Sequence, residues 1–198
     1  MEGTHPVNKK LAAALSGGAV LVLALSGCTG DDGNEELDAW AKQVCDELQV
    51  QARTIKAANA AIQKETSDSS SPAEVQKADS QAFQDIAEAY KAIGTAITKA
   101  GPPNVEEGEK KQRDAVKELN TISASYTSLQ KQVDALDTKD QGKFAAGLKD
   151  IAAEMKKLGK TGSDALKTLE EGEVGQAMAE QESCKSASAS ASPSVTQG

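Results

Sequence analysis

From Glu35 onward the apolar residues of this chain return in steps of three and four, the period of one helix face, and they keep that rhythm for more than a hundred residues. Leu37, Val44, Gln51 and Ala58 recur every seven residues, and Ala41, Leu48, Ile55 and Ile62 do the same four places on. Both sets line one stripe of a first helix of about 30 residues, broken by Thr66 to Ser71. Ser71-Pro72-Ala73-Glu74 then supplies a cap, a proline at the first helical position and an acid that can bond back to the cap. The second helix carries Ile86 and Ile93 in one row, Ala82, Ala89 and Ala96 in the next, and Phe83, Tyr90 and Ile97 beside them. Gly101-Pro102-Pro103 ends it, and Asn104 with Glu107 is expected to cap a third. That helix sets Val105, Gln112, Leu119, Tyr126 and Val133 beside Ala115, Ile122, Leu129 and Leu136. Thr138 and Gln141 form the next expected capping box, followed by Phe144, Leu148, Ile151, Met155 and Leu158. Gly159 to Ser163 looks like a breaker, yet Ala165 and Leu169 keep the phase, so the fourth helix is expected to kink there and continue to Glu171.

What precedes this pattern is of another kind. Met1 to Lys10 ends in Lys9-Lys10, Leu11 to Leu25 is almost wholly Leu, Ala, Val, Gly and Ser, and Ser26-Gly27 leads into Cys28. A charged start, an apolar centre and a small-residue exit make a secretory signal peptide. The apolar run is shorter than the roughly 20 residues a membrane-spanning helix needs, and Ser16-Gly17-Gly18 loosens its middle. An ordinary export signal ends in two spaced small residues; this one ends Leu25-Ser26-Gly27-Cys28, which resembles the lipobox of bacterial lipoproteins. The resemblance implies that the Cys28 sulfur receives a diacylglycerol as a thioether and that a peptidase cuts between Gly27 and Cys28. Only a thiol suits that acceptor, and small residues before it let the backbone enter the peptidase cleft. The competing reading is a chance cysteine beside an ordinary cleavage site. The stretch NKKLAAALSGGAVLVLALSGC, an acidic tether and DAWAKQVCDEL together resemble the small secreted lipoproteins of actinobacteria. That resemblance covers the signal, tether and first helix, and the remainder only in its Ala-, Lys- and Gln-rich helical character; it implies an address, the outer face of the bacterial cytoplasmic membrane, and lends nothing catalytic.

Loss of residues 1–27 leaves Cys45 and Cys184 as the remaining cysteines. Two thiols outside the cytoplasm most simply form one disulfide, the alternative being a pair of free reactive thiols. Helical rise supports the pairing. If the fourth helix runs to Glu171 and a short segment after Gly172 to Gly175 folds back, Cys184 climbs roughly 15 Å from that end, about the height of Cys45. A reversal at Gly159 to Gly162 would leave the sulfurs roughly 35 Å apart. The expected fold is therefore all-α: an antiparallel up-down bundle of four long helices plus a short C-terminal helix, with one disulfide. Its parts are a signal peptide at 1–27, the lipidated Cys28 and flexible tether at 28–34, the helical domain at 35–185 and a disordered Ser/Ala tail at 186–198.

Composition narrows the chemistry. The whole chain has a net charge of −8, and removing residues 1–27 takes two lysines and one glutamate, leaving the rest more acidic still. A net-negative domain without a basic block is a poor nucleic-acid binder, and its attraction to anionic lipid is weak enough that the acyl chains must do the holding. Two such chains anchor stably where one is marginal. His5 is the only histidine and leaves with the signal, which removes histidine-held zinc or haem, Glu-x-x-His di-iron sites and any Ser-His or Cys-His couple. Aromatic residues are 3% of the chain, too few for a surface that stacks sugars or bases.

Several local patterns imitate known sites. Ser128-Leu129-Gln130-Lys131 fits S-x-x-K and Lys160-Thr161-Gly162 fits K-T-G, marks of penicillin-recognising serine enzymes. Both fall in helical pattern with no S-D-N between them, so they read as helix surface. Gly159-Lys160-Thr161 resembles the end of a phosphate-binding loop, but Glu154 stands where the first glycine is required. Glu106, Glu107 and Glu109, and again Glu170, Glu171 and Glu173, are acidic groups without the spaced loop of a calcium site, and read as solvated faces. Gln51, Asn59 and Gln112 lie on or beside inward rows, where they could fix register, pair with one another or sit near solvent. Met155 and Met178 are core candidates, and Trp40 is expected to cover the bundle end nearest the membrane. The functional expectation is a non-catalytic, lipid-anchored domain with no cofactor or metal, contacting an envelope protein or wall component. The alternative is a module holding a small hydrophobic or cationic ligand between its helices.

Overall fold

The computed structural model describes residues 35–65, 70–161 and 164–191. Within them lie seven helices: α1 (Glu35–Glu65), α2 (Pro72–Ala100), α3 (Gly108–Asp134), α4 (Gln141–Thr161), α5 (Asp164–Leu169), α6 (Glu173–Glu180) and α7 (Glu182–Ala191), and no strand among the described residues. The all-α class follows directly from the apolar period.

The first three helices are long, and side-chain bonds fix their senses. Trp40 Nε1 donates to Gly101 O at 2.8 Å while Ala58 packs with Ala82 and Ile86, so α1 and α2 run in opposite directions. Gln112 Nε2 donates to Ile97 O at 2.9 Å, Ser123 Oγ to Ala87 O at 2.7 Å and Gln76 Nε2 to Val133 O at 2.9 Å, which sets α3 against α2 in the same way. Gly94 faces Leu119 across this pair, and a Cβ built on it would meet Leu119 Cβ at 3.5 Å, an ordinary contact. Gln132 Nε2 reaches Glu154 Oε2 at 2.8 Å and Lys111 Nζ reaches Thr168 O at 3.0 Å. Helix α4 therefore lies beside the end of α3 and α5 beside its start, so the chain continues along α3 through the glycine-rich junction; residues 162–163 of that junction lie outside the described residues.

Three core clusters result among the described residues, the one of Ala58, Ala82 and Ile86 sharing Tyr90 with the first below and Ile62 and Tyr126 with the second. Near the Trp40 end, Leu37, Trp40, Ala41, Val44 and Cys45 of α1 meet Ile93 and Ile97, Ala115 and Leu119, Leu169, and Val174 and Met178. Near the other end, Phe83, Leu129, Val133 and Ile151 pack with Ile62, Tyr126, Leu136, Met155 and Leu158. These are the inward rows of the heptad pattern, and each fully buried Leu, Ile, Phe or Met contributes about 1.5–3 kcal/mol.

Four details depart from expectation. Helix α3 begins at Gly108, not beside Asn104: Val105 N bonds to Pro103 O and Gly108 N to Val105 O, a tight turn that ends with Glu107 at φ 56°. Asn104 instead donates to Glu36 Oε2 at 3.0 Å, and a Cβ on Gly108 would overlap the Pro103 carbonyl. Helix α4 is capped by Asp140, whose Oδ1 accepts the Lys143 N–H at 3.0 Å, rather than by Thr138. The expected fourth helix is described as α4 and α5 on either side of residues 162–163, and the expected short fifth is α6 and α7, separated by Gln181 in extended conformation (φ −76°, ψ 125°). That bend lets α6 close the Trp40 end while α7 follows α1. Lastly, α7 runs to Ala191, into the stretch expected to be a tail; residues 192–198 lie outside the described residues.

The capping box at α2 forms as read: Ser71 Oγ accepts from Glu74 N at 3.4 Å and Glu74 Oε2 accepts from Ser71 N at 2.8 Å. A second terminus is closed from a distance, since Gln76 Nε2 also donates to Leu136 O at 3.0 Å and thus meets the orphan carbonyls at the end of α3. Gln76→Ala should cost about 1–2 kcal/mol of stability in a denaturant melt, because one amide serves more than one carbonyl. An unchanged midpoint would show that water replaces it freely.

Candidate functional site

The anchor motif Leu25 to Cys28, with the cleavage position Gly27 and the tether to Asn34, lies outside the described residues. Within them, Cys45 and Cys184 are joined as a disulfide with Cα atoms 4.8 Å apart. Cys45 is fully buried on α1, Cys184 is half-buried on α7, and Met178 and Val174 of α6 share the same core. The bridge ties the last described helix to the first.

The imitated catalytic patterns are placed as follows. Ser128 and Lys131 are exposed on α3 while Leu129 between them is buried in the core. The Lys160-Thr161-Gly162 side chains lie outside the described residues. Glu106, Glu107 and Glu109 are exposed, as are Glu170, Glu171 and Glu173, and no group of three or more acids, histidines or cysteines that could hold a metal occurs among the described residues. The three inward amides do not pair with one another: Gln112 serves the Ile97 carbonyl, Gln51 Nε2 donates to Glu47 Oε1 at 2.6 Å, and Asn59 is exposed.

Two interior features were not anticipated. Tyr126 lies between Phe83 and Tyr90, its ring centroid 6.0 Å from the first and stacked at 5.9 Å on the second, within the favourable range for aromatic pairs. Burial, and then the neighbouring Tyr90, push the Tyr126 phenol up to about 12, and burial raises Tyr90 as well, so both stay neutral. Asp79 is 7% exposed on α2, and its Oδ1 has no hydrogen-bond partner among the described residues. Burial alone pushes its carboxyl up to about 6. The signal for it was present: Asp79, Ile86 and Ile93 are seven apart on the inward row.

Solvent-facing concavity occurs along α3. A shallow groove of about 770 Å³ between α2 and α3 is lined by Thr98, Gln112, Arg113, Val116, Asn120 and Ala124 among others. A second of about 620 Å³ lies at the α2–α3 turn, with Glu36, Pro103, Asn104, Glu107 and Arg113. Arg113 lines both. Such a surface can seat side chains or a flat partner. Comparison of the chain with protein-family models, with curated proteins and with solved structures finds no match.

Proposed function

We propose that the protein is a lipid-anchored, extracytoplasmic helical domain on the outer face of a bacterial cytoplasmic membrane, acting through contact with another envelope component and not by catalysis. The observation that carries the reading is Leu25-Ser26-Gly27-Cys28 at the close of a basic-then-apolar leader. Its resemblance to the signal of small actinobacterial lipoproteins supplies the address. Two further facts support it. The helical domain starts at Glu35, seven residues after Cys28, which leaves a short tether. None of the described helices is long and apolar enough to cross a membrane, so attachment by the domain itself would be peripheral. The grooves along α3 are the surface through which a partner would be met.

The test is metabolic labelling with an alkyne-tagged fatty acid in the native host. The wild-type chain should carry the label and fractionate with membranes, and Cys28→Ser should lose the label and retain its leader. A purified wild-type chain that carries no label, or that keeps residues 1–27, would sink the reading.

A further inference from the structure

The outward face of α1 beyond its midpoint carries cations and, up to Glu65, no acid. Between Glu47 and Glu65 seventeen residues pass without an acid, in a protein with 30 acidic residues and a net charge of −8. Arg53, Lys56 and Lys64 are exposed on that stretch; the first two make no ion pair among the described residues, and Lys64 lies 3.9 Å from Glu65 Oε1. Val50, at 51% exposure, is the large apolar side chain most open to solvent among the described residues, and Ala57, Ala60 and Ala61 are exposed beside the cations. Positions 50, 53, 57, 60 and 64 step by three and four, with Lys56 and Ala61 flanking the row on either side, so these groups share the face opposite the inward Ile55, Ala58 and Ile62.

We propose that this face lies against the anionic phospholipids of the leaflet that carries the Cys28 anchor, and so sets how the domain is oriented there. The inference rests on the reading that Cys28 is lipidated. Charge decides the occupant. A second copy packed face to face would set Arg53, Lys56 and Lys64 against their own kind, whereas an anionic surface attracts each by about fivefold. Apolar atoms interleaved with the charges suit the boundary between headgroups and acyl chains better than a hydrated polymer. Reach allows it, because the residues from Cys28 to Glu35 span at most about 25 Å when extended, enough for the bundle to lie on its side. Attachment is the work of the acyl chains; the stripe contributes orientation.

Lysine acylation tests this. The full lipidated chain is inserted in vesicles of phosphatidylcholine alone, or with about one third phosphatidylglycerol, and treated with a water-soluble active ester; the modified lysines are read by mass spectrometry. On the anionic vesicles Lys56 and Lys64 should react about fivefold or more slowly relative to the exposed Lys149 and Lys156 of α4, and high salt should restore their rates. Arg53→Gln with Lys64→Gln should abolish the protection of Lys56. Equal rates on both vesicles, or protection of Lys149 and Lys156 instead, would overturn the proposal, as would protection of Lys56 by soluble poly(glycerol phosphate) but not by vesicles. A chain that floats with neither vesicle defeats the anchor reading and this inference with it; one that floats with both and labels alike defeats the inference alone.

Discussion

Replacing Cys45 by Ala together with Cys184 by Ser is expected to lower the stability of the domain by up to about 5 kcal/mol, the chain-entropy value for so long a loop, the two residues being 139 apart in sequence. For a domain of this size that is a fall in Tm of roughly 10–20 °C. The loss should be felt first at the Trp40 end. There α7 is tied to α1, and α6 delivers Val174 and Met178 into the core that also buries Trp40. Trp40 is the only tryptophan and is 5% exposed, so its emission reports directly: a red shift at temperatures where the oxidised protein is still folded is the expected result. Because Cys45 is fully buried, the native bridge should also resist mild reductants until the domain opens. Coincident melting curves for the bridged and unbridged proteins would mean that the closed loop constrains nothing in the unfolded chain.

Asp79 carries the second large effect, with the opposite sign to ordinary acid denaturation. Burial pushes its carboxyl from the ordinary aspartate range up to about 6, so the folded state holds the proton more tightly than the unfolded chain does. The stabilisation is complete below the unfolded value near 4 and disappears as pH rises through 6, amounting to as much as about 3 kcal/mol. Asp46, Glu74 and Asp140 are held below their ordinary range, Asp46 first by Lys42, Glu74 by Ser71 and Asp140 by Lys143, and they pull the other way only at more acid pH. Between about pH 5 and 7, above the range where those three titrate, denaturant midpoints of the wild-type protein should therefore fall as pH rises. Asp79→Asn keeps the shape without the charge and should flatten that slope. A variant whose midpoints track the wild type across this window would show that the Asp79 carboxylate is solvated in the folded state.

How much of this was legible beforehand depends on which interaction decides each feature. The apolar rows were legible because burial follows helical period: Leu37, Val44, Ile86, Ile93, Leu119 and Val133 are all in the core. The Ser71 capping box was legible because its partners are three residues apart. The Asn104 cap was misread because its carboxamide found a better partner in Glu36, 68 residues away, which no local rule can see. The same holds for Gln76, whose carbonyl partners come from the end of another helix. The candidate surface was half legible. The acid-free run between Glu47 and Glu65 can be counted in the sequence, but whether it is free depends on where α7 comes to rest.

Sequence alone therefore determined the helical class, the inward faces and the first-turn proline of α2, since each depends on periodicity or nearby residues. It favoured the pairing of Cys45 with Cys184 through helical rise and the expected acylation of Cys28, and the fold brings the two together. The tertiary structure decided where the last third of the chain divides into helices, that a carboxylate would sit unpaired at Asp79, and which flank of α1 stays open. Those outcomes turn on which distant surfaces meet. A helix has the same local pattern whether its outer face is covered or bare.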